Sequence, residues 1–203
     1  MAVDFNILRD YVPEISIPIL EKWFNQIDFI LKITKKRTSK FGDFKVDTKK
    51  NNPQISVNAD LNQYAFLITL THEFAHLLVW KQYQHSVKAH GGEWKNEFQL
   101  LMNVLLKKSV FPDDIFVPLY RHMQNPAASS ARDIELIKAL KKYDNNSSTV
   151  HLSDLDEGMI FTINNKKQFI KGAKQRTRYL CEEVNTNKKY LIHGIAEVEL
   201  IGS

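Results

Sequence analysis

The sequence predicts an α+β body followed by a small all-β appendage, and three observations carry that reading. A helix opening after Asp60 carries "LTHEFAHLLVW", and a further amphipathic helix has Trp94, Phe98, Leu101, Met102 and Leu105 on one side. Between 28 and 60 the signal is instead short runs, "DFILKIT", "FGDFKV" and "PQISVNA", separated by polar or turn-prone residues. At "KKYDNNSST" the pattern changes again, and the rest of the chain reads as strands. The boundaries drawn are 1–146 for the body and 147–203 for the appendage, with residues 145–149 as a linker.

The chain opens with helical spacing at Phe5, Leu8 and Tyr11. Pro13 interrupts it, and "IPILEKWFNQI" resumes with Leu20, Trp23, Phe24 and Ile27 on one face. Asp60, three residues before Gln63, is the expected N-cap of the helix that contains "LTHEFAHLLVW". "SVKAHGGEW" ends that helix, its two glycines allowing a sharp turn. Pro112 and Pro118 are read as bracketing a loop, and Ser130 with Asp133 as starting a last helix through Ile134, Ile137 and Leu140. In the appendage the expected strands are "GMIFTI", "KQFI", "RTRYLCEEV", "KKYLIH" and "IAEVELI", with turns at Asn164–Asn165 and Asn185–Thr186.

Composition bounds the function without naming it. At 43% hydrophobic and 25% charged, the 203 residues suit a globular protein with a core. The net charge of +5 permits anionic partners but describes steering rather than chemistry. The first residues lack a secretory pattern, no window approaches a membrane span, and a single cysteine, Cys181, excludes an internal disulfide and a cysteine-rich zinc site. The expectation is a protein of a reducing cytoplasm, with no membrane partner.

The chemistry sits in "LTHEFAHLLVW" (70–80), where His72, Glu73 and His76 interrupt an otherwise apolar run. Burying such groups without a strong partner is costly. On a helix, positions four apart differ by about 40° in rotation and lie one turn apart, so His72 and His76 can converge on one ion. Glu73, rotated by about 100° from His72, stands beside that ion where a base is needed. This is the H-E-x-x-H arrangement of zinc metalloproteases. A third protein ligand is required. The H-E-x-x-H-x-x-G-x-x-H pattern does not supply it, because its positions hold Val79 and Gln82. His90, in "KAHGGEW", is preferred as that ligand, with His85 as the reserve; outside that role His85 reads as a solvated residue or a substrate contact.

"THEFAHLLVW", followed fourteen residues after its second histidine by "HGGEW", resembles the SprT-like metalloprotease domain of the Spartan-related kind. The resemblance reaches back to "QISVNADL" and "KKRTSKFGDF" and covers roughly residues 10–110. It implies a minimal zincin-like fold, with His72, His76 and His90 as zinc ligands and Glu73 as the acid/base. Relatives of the Spartan type digest proteins crosslinked to DNA. Bacterial members often end in a zinc ribbon with paired cysteines, which this chain, with Cys181 alone, cannot form.

The resulting expectation is a Zn²⁺-dependent endopeptidase acting on protein substrates, DNA-crosslinked ones among the candidates. The alternative is a non-catalytic nucleic-acid-associated binding protein with a structural or vestigial zinc. "PQISVNA" is the candidate edge for an extended peptide, and Tyr83, His85 and His122 are candidate oxyanion partners. Trp94 is read as core and Cys181 as a small buried hydrophobe. His122, His151 and His193 carry no spacing signal and read as surface or strand residues. Two basic runs remain, 32–40 and 166–178. In the second, Lys174, Arg176 and Arg178 are the candidate nucleic-acid contacts. Yet 147–203 as a whole holds eight Lys/Arg against seven Asp/Glu, so a hairpin with one solvated basic face is the competing reading.

Overall fold

The computed structural model describes residues 3–47, 52–127, 133–144, 150–163 and 167–201. The chain divides into two compact units, Met1–Asn145 and Asn146–Ser203. The linker at 145–149, Ser130 and the Asn164–Asn165 turn lie outside the described residues. Among the described residues, no helix is long and apolar enough to cross a membrane.

The first unit is mixed α+β. Two short helices, α1 (Phe5–Leu8) and α2 (Ile17–Phe24), precede three strands, β1 (Ile30–Thr34), β2 (Gly42–Asp47) and β3 (Asn52–Asn58). Four helices follow: α3 (Gln63–Tyr83), α4 (Gly92–Lys107), α5 (Asp113–His122) and α6 (Ile134–Lys141). The sheet order is β1-β3-β2, with β1 parallel and β2 antiparallel to β3. This corrects the expectation for "PQISVNA". That segment is the central strand, hydrogen-bonded on both sides, and β2 is an edge. The reason is visible in its burial: Ile55 and Val57 are fully covered, and so nearly are Ser56 and Asn58. The two polar side chains are satisfied from the preceding loop. Arg37 donates to Asn58 Oδ1 at 2.7 Å and Ser56 Oγ at 3.1 Å, and Asn58 Nδ2 donates to the Arg37 and Lys40 carbonyls.

Helix α3 is the spine of this unit. Phe66, Leu67, Leu70, Phe74, Leu77 and Val79 bury it on most sides, and Phe74 meets Phe24, Phe29 and Trp23 at ring separations of 5.0–6.1 Å. Its N-cap is Asn62 rather than Asp60. Asn62 Oδ1 accepts from the Tyr64 and Ala65 amides, while its Nδ2 donates to Leu140 O and Asp144 Oδ1 at the end of α6. Asp60 pairs with Lys36 instead. Only a side chain with both a donor and an acceptor can cap α3 and tie α6 at once, and Asp60 has no donor.

Two further expectations are revised. The reversal after α3 begins at Gln84, with φ 54° and ψ −126°, whereas Gly91 is extended at φ −74° and N-caps α4. "PDDIFVPLY" is helical, with Pro112 at the N-cap and Pro118 inside α5. Fully buried Ile115 and Leu119, one turn apart, hold that helix to the core despite the proline. Asp133 caps α6 by accepting from the Leu136 amide.

The second unit is an antiparallel six-stranded sheet of order β4-β9-β5-β6-β7-β8. Its strands are β4 (Val150–His151), β5 (Ile160–Ile163), β6 (Lys167–Gln175), β7 (Arg178–Glu183), β8 (Lys189–His193) and β9 (Glu197–Leu200). Leu152, Leu155, Phe161, Phe169, Cys181 and Val198 form its core. His151 is buried there, its Nδ1 3.1 Å from Ile195 O. Lys171, counted with the basic run, points inward: it donates to Leu155 O and lies 4.1 Å from the centre of the Tyr179 ring.

The cap assignment yields a test. Asn62→Ala is expected to lower unfolding free energy by about 2 kcal/mol, from a lost cap plus the bonds to α6. Asp60→Ala is expected to change it by less than about 0.5 kcal/mol, as for an exposed ion pair. Urea titration of both variants checks the contrast.

Candidate metal centre

His72 and His76 project from consecutive turns of α3, and His90 returns from the loop before α4. Their Nε2 atoms form a nearly equilateral triangle, with sides of 3.3 Å (His72–His76), 3.0 Å (His76–His90) and 3.3 Å (His72–His90). Ligands at about 2.05 Å from a tetrahedral ion lie about 3.3 Å apart, so the triangle has the dimensions of three corners of such a site. Among the described residues, these three histidines are the group that can hold a metal ion.

Trp94, the first large side chain of α4, forms the floor. Its ring centre lies 4.6, 5.3 and 4.7 Å from those of His72, His76 and His90. Its indole N–H donates to the His72 carbonyl at 3.4 Å, and Phe98 stacks on it one turn later. Trp94 is therefore core and site wall together, a double role that its helical spacing does not disclose.

This setting fixes the charge state of the ligand set. Burial, and then repulsion from the neighbouring imidazoles, pushes His72 down to about 3 and His76 down to about 4, and burial lowers His90 as well. The rings are neutral at physiological pH, as metal ligands must be. The donor set therefore fits a borderline divalent ion.

Glu73 leaves the helix on a different side from its histidine neighbours and is buried, with 8% of its surface exposed. Its carboxylate accepts the backbone N–H of Phe44 on edge strand β2. Burial, and then the charge of Asp43, push its pKa up to about 8, against the opposing pull of that hydrogen bond, Arg37 and Lys40. Asp43 is itself held by Lys40 at 2.8 Å and Lys45 at 3.3 Å.

Other candidates lie elsewhere. His85 is exposed and outside the triangle, so it does not join the ligand group. Tyr83 is the last residue of α3. His122 is not a surface residue: its side chain is 7% exposed, its Nδ1 lies 3.4 Å from Asp133 Oδ2, and its charge is among those that depress His72. The end of its helix is fastened to α4 by Gln99, which donates to Met123 O at 2.7 Å, and by Lys95, which donates to Asn125 Oδ1 at 2.7 Å. No sequence spacing signals that arrangement.

The basic runs separate on inspection. In the first, Arg37 braces β3, Lys36 pairs with Asp60 and Lys40 with Asp43. In the second, Lys167 pairs with Glu183 and Lys171 is buried. Lys174, Arg176 and Arg178 are exposed at the β6–β7 hairpin tip, with no ion pair among the described residues.

No curated protein and no solved structure matches the chain. Residues 19–113, from α2 to the start of α5, match the model of the SprT-like family. That span contains the histidine triangle, its Trp94 floor, Glu73 and the three-stranded sheet, and it is over this segment that the chain is similar to the SprT-like family.

Proposed function

We propose that this chain is a zinc-dependent endopeptidase with a minimal zincin-type catalytic unit, working on protein substrates in a reducing cytoplasm. The observation that carries the reading is the triangle of three neutral imidazole nitrogens with sides of 3.0–3.3 Å, next to a buried carboxylate on the same helix. His72, His76 and His90 would hold the ion. Bound there, Zn²⁺ supplies Lewis acidity toward a peptide carbonyl and a water molecule.

The chain's own residues supply the remaining functions. In its ionised form Glu73 accepts a proton from the attacking water on its carboxylate and delivers it to the departing amine nitrogen. The Phe44 amide fixes that carboxylate against the sheet. Trp94 and Phe98 keep water from the back of the imidazoles and restrict their rotation. An extended substrate has β2, not β3, as the available edge on the Glu73 side of the sheet.

A second reading concerns partners. Lys174, Arg176 and Arg178 favour contact with a nucleic-acid backbone, because among the described residues of their run they are the cations that neither pair with an acid nor turn inward. This fits proteolysis of DNA-associated or DNA-crosslinked proteins, and equally a binding protein without catalysis.

Two experiments test these readings. In the first, Glu73→Gln is expected to retain about one zinc per chain and lose at least 100-fold, on the order of a general base's contribution, in cleavage of denatured casein. His90→Ala is expected to weaken zinc binding by more than about 100-fold, beyond what loss of an outer-shell partner costs. Full activity in Glu73→Gln would refute the assigned chemistry. In the second, single-stranded DNA affinity is measured against salt for wild type and the triple alanine variant of Lys174, Arg176 and Arg178. The slope of log affinity is expected to flatten by about 2. An unchanged slope removes the hairpin from DNA contact.

A further inference from the structure

We propose that Gly42, the first residue of edge strand β2, is the positioning residue for Glu73. The inference rests on reading Glu73 as the acid/base. A Cβ built on Gly42 would lie 2.7 Å from Glu73 Oε1, 2.8 Å from Glu73 Cγ and 2.7 Å from Thr69 Cγ2. These separations are shorter than a side-chain carbon can make. The demand is for space and not for an unusual backbone, since Gly42 does not have a positive φ. It sits in regular antiparallel register with Val57.

The strand and the two neighbouring residues differ in how they could yield. The Gly42 backbone is held through β3, whose Val57 is fully buried. Thr69 is held by its own hydroxyl, which donates to Ala65 O at 2.8 Å. The Glu73 side chain has rotatable bonds and one backbone hydrogen bond to lose, from Phe44 two residues along the same strand. Relief of the two Glu73 contacts therefore falls on the Glu73 side chain, while the Thr69 Cγ2 contact is left for Thr69 or the strand to absorb. The Glu73 carboxylate leaves the Phe44 amide, while the triangle stays in place, because the atoms nearest the added carbon belong to Glu73 and Thr69 and not to His72, His76 or His90. Gly42 thus separates two properties that usually fail together: a substitution there removes the base while leaving the metal site and fold.

The test uses the full chain loaded with zinc. Gly42→Ala is expected to keep about one zinc per chain and the wild-type thermal midpoint within a few degrees. Its kcat on denatured casein is expected to fall at least about tenfold, with KM within about twofold, as for loss of a proton-transfer group. Its Phe44 amide resonance is expected to shift in the same direction as in Glu73→Ala. Adding Thr69→Ser, which keeps the hydroxyl and removes Cγ2, is expected to restore part of the lost kcat and move the Phe44 resonance back. Wild-type kcat and an unshifted Phe44 amide in Gly42→Ala would overturn the proposal. So would loss of zinc or of folding that Thr69→Ser does not repair, since the glycine would then serve packing. An inactive wild type whose Phe44 amide still responds as expected would sink the peptidase reading and leave the positioning contact standing.

Discussion

Three imidazole nitrogens within 3.3 Å of one another are the constraint on which the rest of the first unit depends. Imidazolium ions cannot be packed that closely, so the rings must be neutral, and partial burial keeps them so. Holding them requires two elements that do not move relative to each other. Helix α3 supplies two of the imidazoles from adjacent turns and is locked by apolar contacts on most sides. Helix α4 supplies Trp94, whose ring touches all three imidazoles and whose N–H reaches the α3 backbone. An amphipathic helix with one solvated face could not do this, which is why the polar trio sits in so apolar a segment.

The same packing places the carboxylate. Glu73 follows His72 by one residue, so the helix aims it away from the triangle toward the sheet, where β2 receives it. Its environment is electrostatically divided, with Asp43 opposing its charge and Arg37 and Lys40 favouring it. The basic loop 35–41 is therefore first a structural device: Arg37 satisfies the buried polar groups of β3, and Lys40 neutralises Asp43. Lys36, Arg37 and Lys40, which looked available for a phosphate partner, are engaged within the fold.

How much of this was legible in the sequence follows from the range of each interaction. His72, Glu73 and His76 are a local pattern, and helix geometry alone brings the histidines together. That His90 lies beside the pair could be anticipated because a helical H-E-x-x-H pair calls for a third partner and few histidines are near. The α+β character and most strand positions followed from periodicity. Roles set by contacts distant in sequence stayed hidden. Asn62 outranks Asp60 as a cap because of α6, about eighty residues away. "PQISVNA" is central because β1 and β2 both find it, which alternation cannot report. His122 meets Asp133 only after α5 and α6 pack, and Pro118 is tolerated only because Ile115 and Leu119 are buried. In the second unit, alternation located the strands but could not show that Lys171 turns inward beside Tyr179.

The most direct measurement of the central claim is X-ray absorption at the zinc edge of the zinc-loaded chain. The account predicts a four-coordinate first shell containing three histidine nitrogens at about 2.0–2.1 Å, with imidazole outer-shell scattering that drops by one ring in His90→Ala. A first shell of six oxygens, a sulfur scatterer at about 2.3 Å, or a spectrum unchanged by His90→Ala would contradict it.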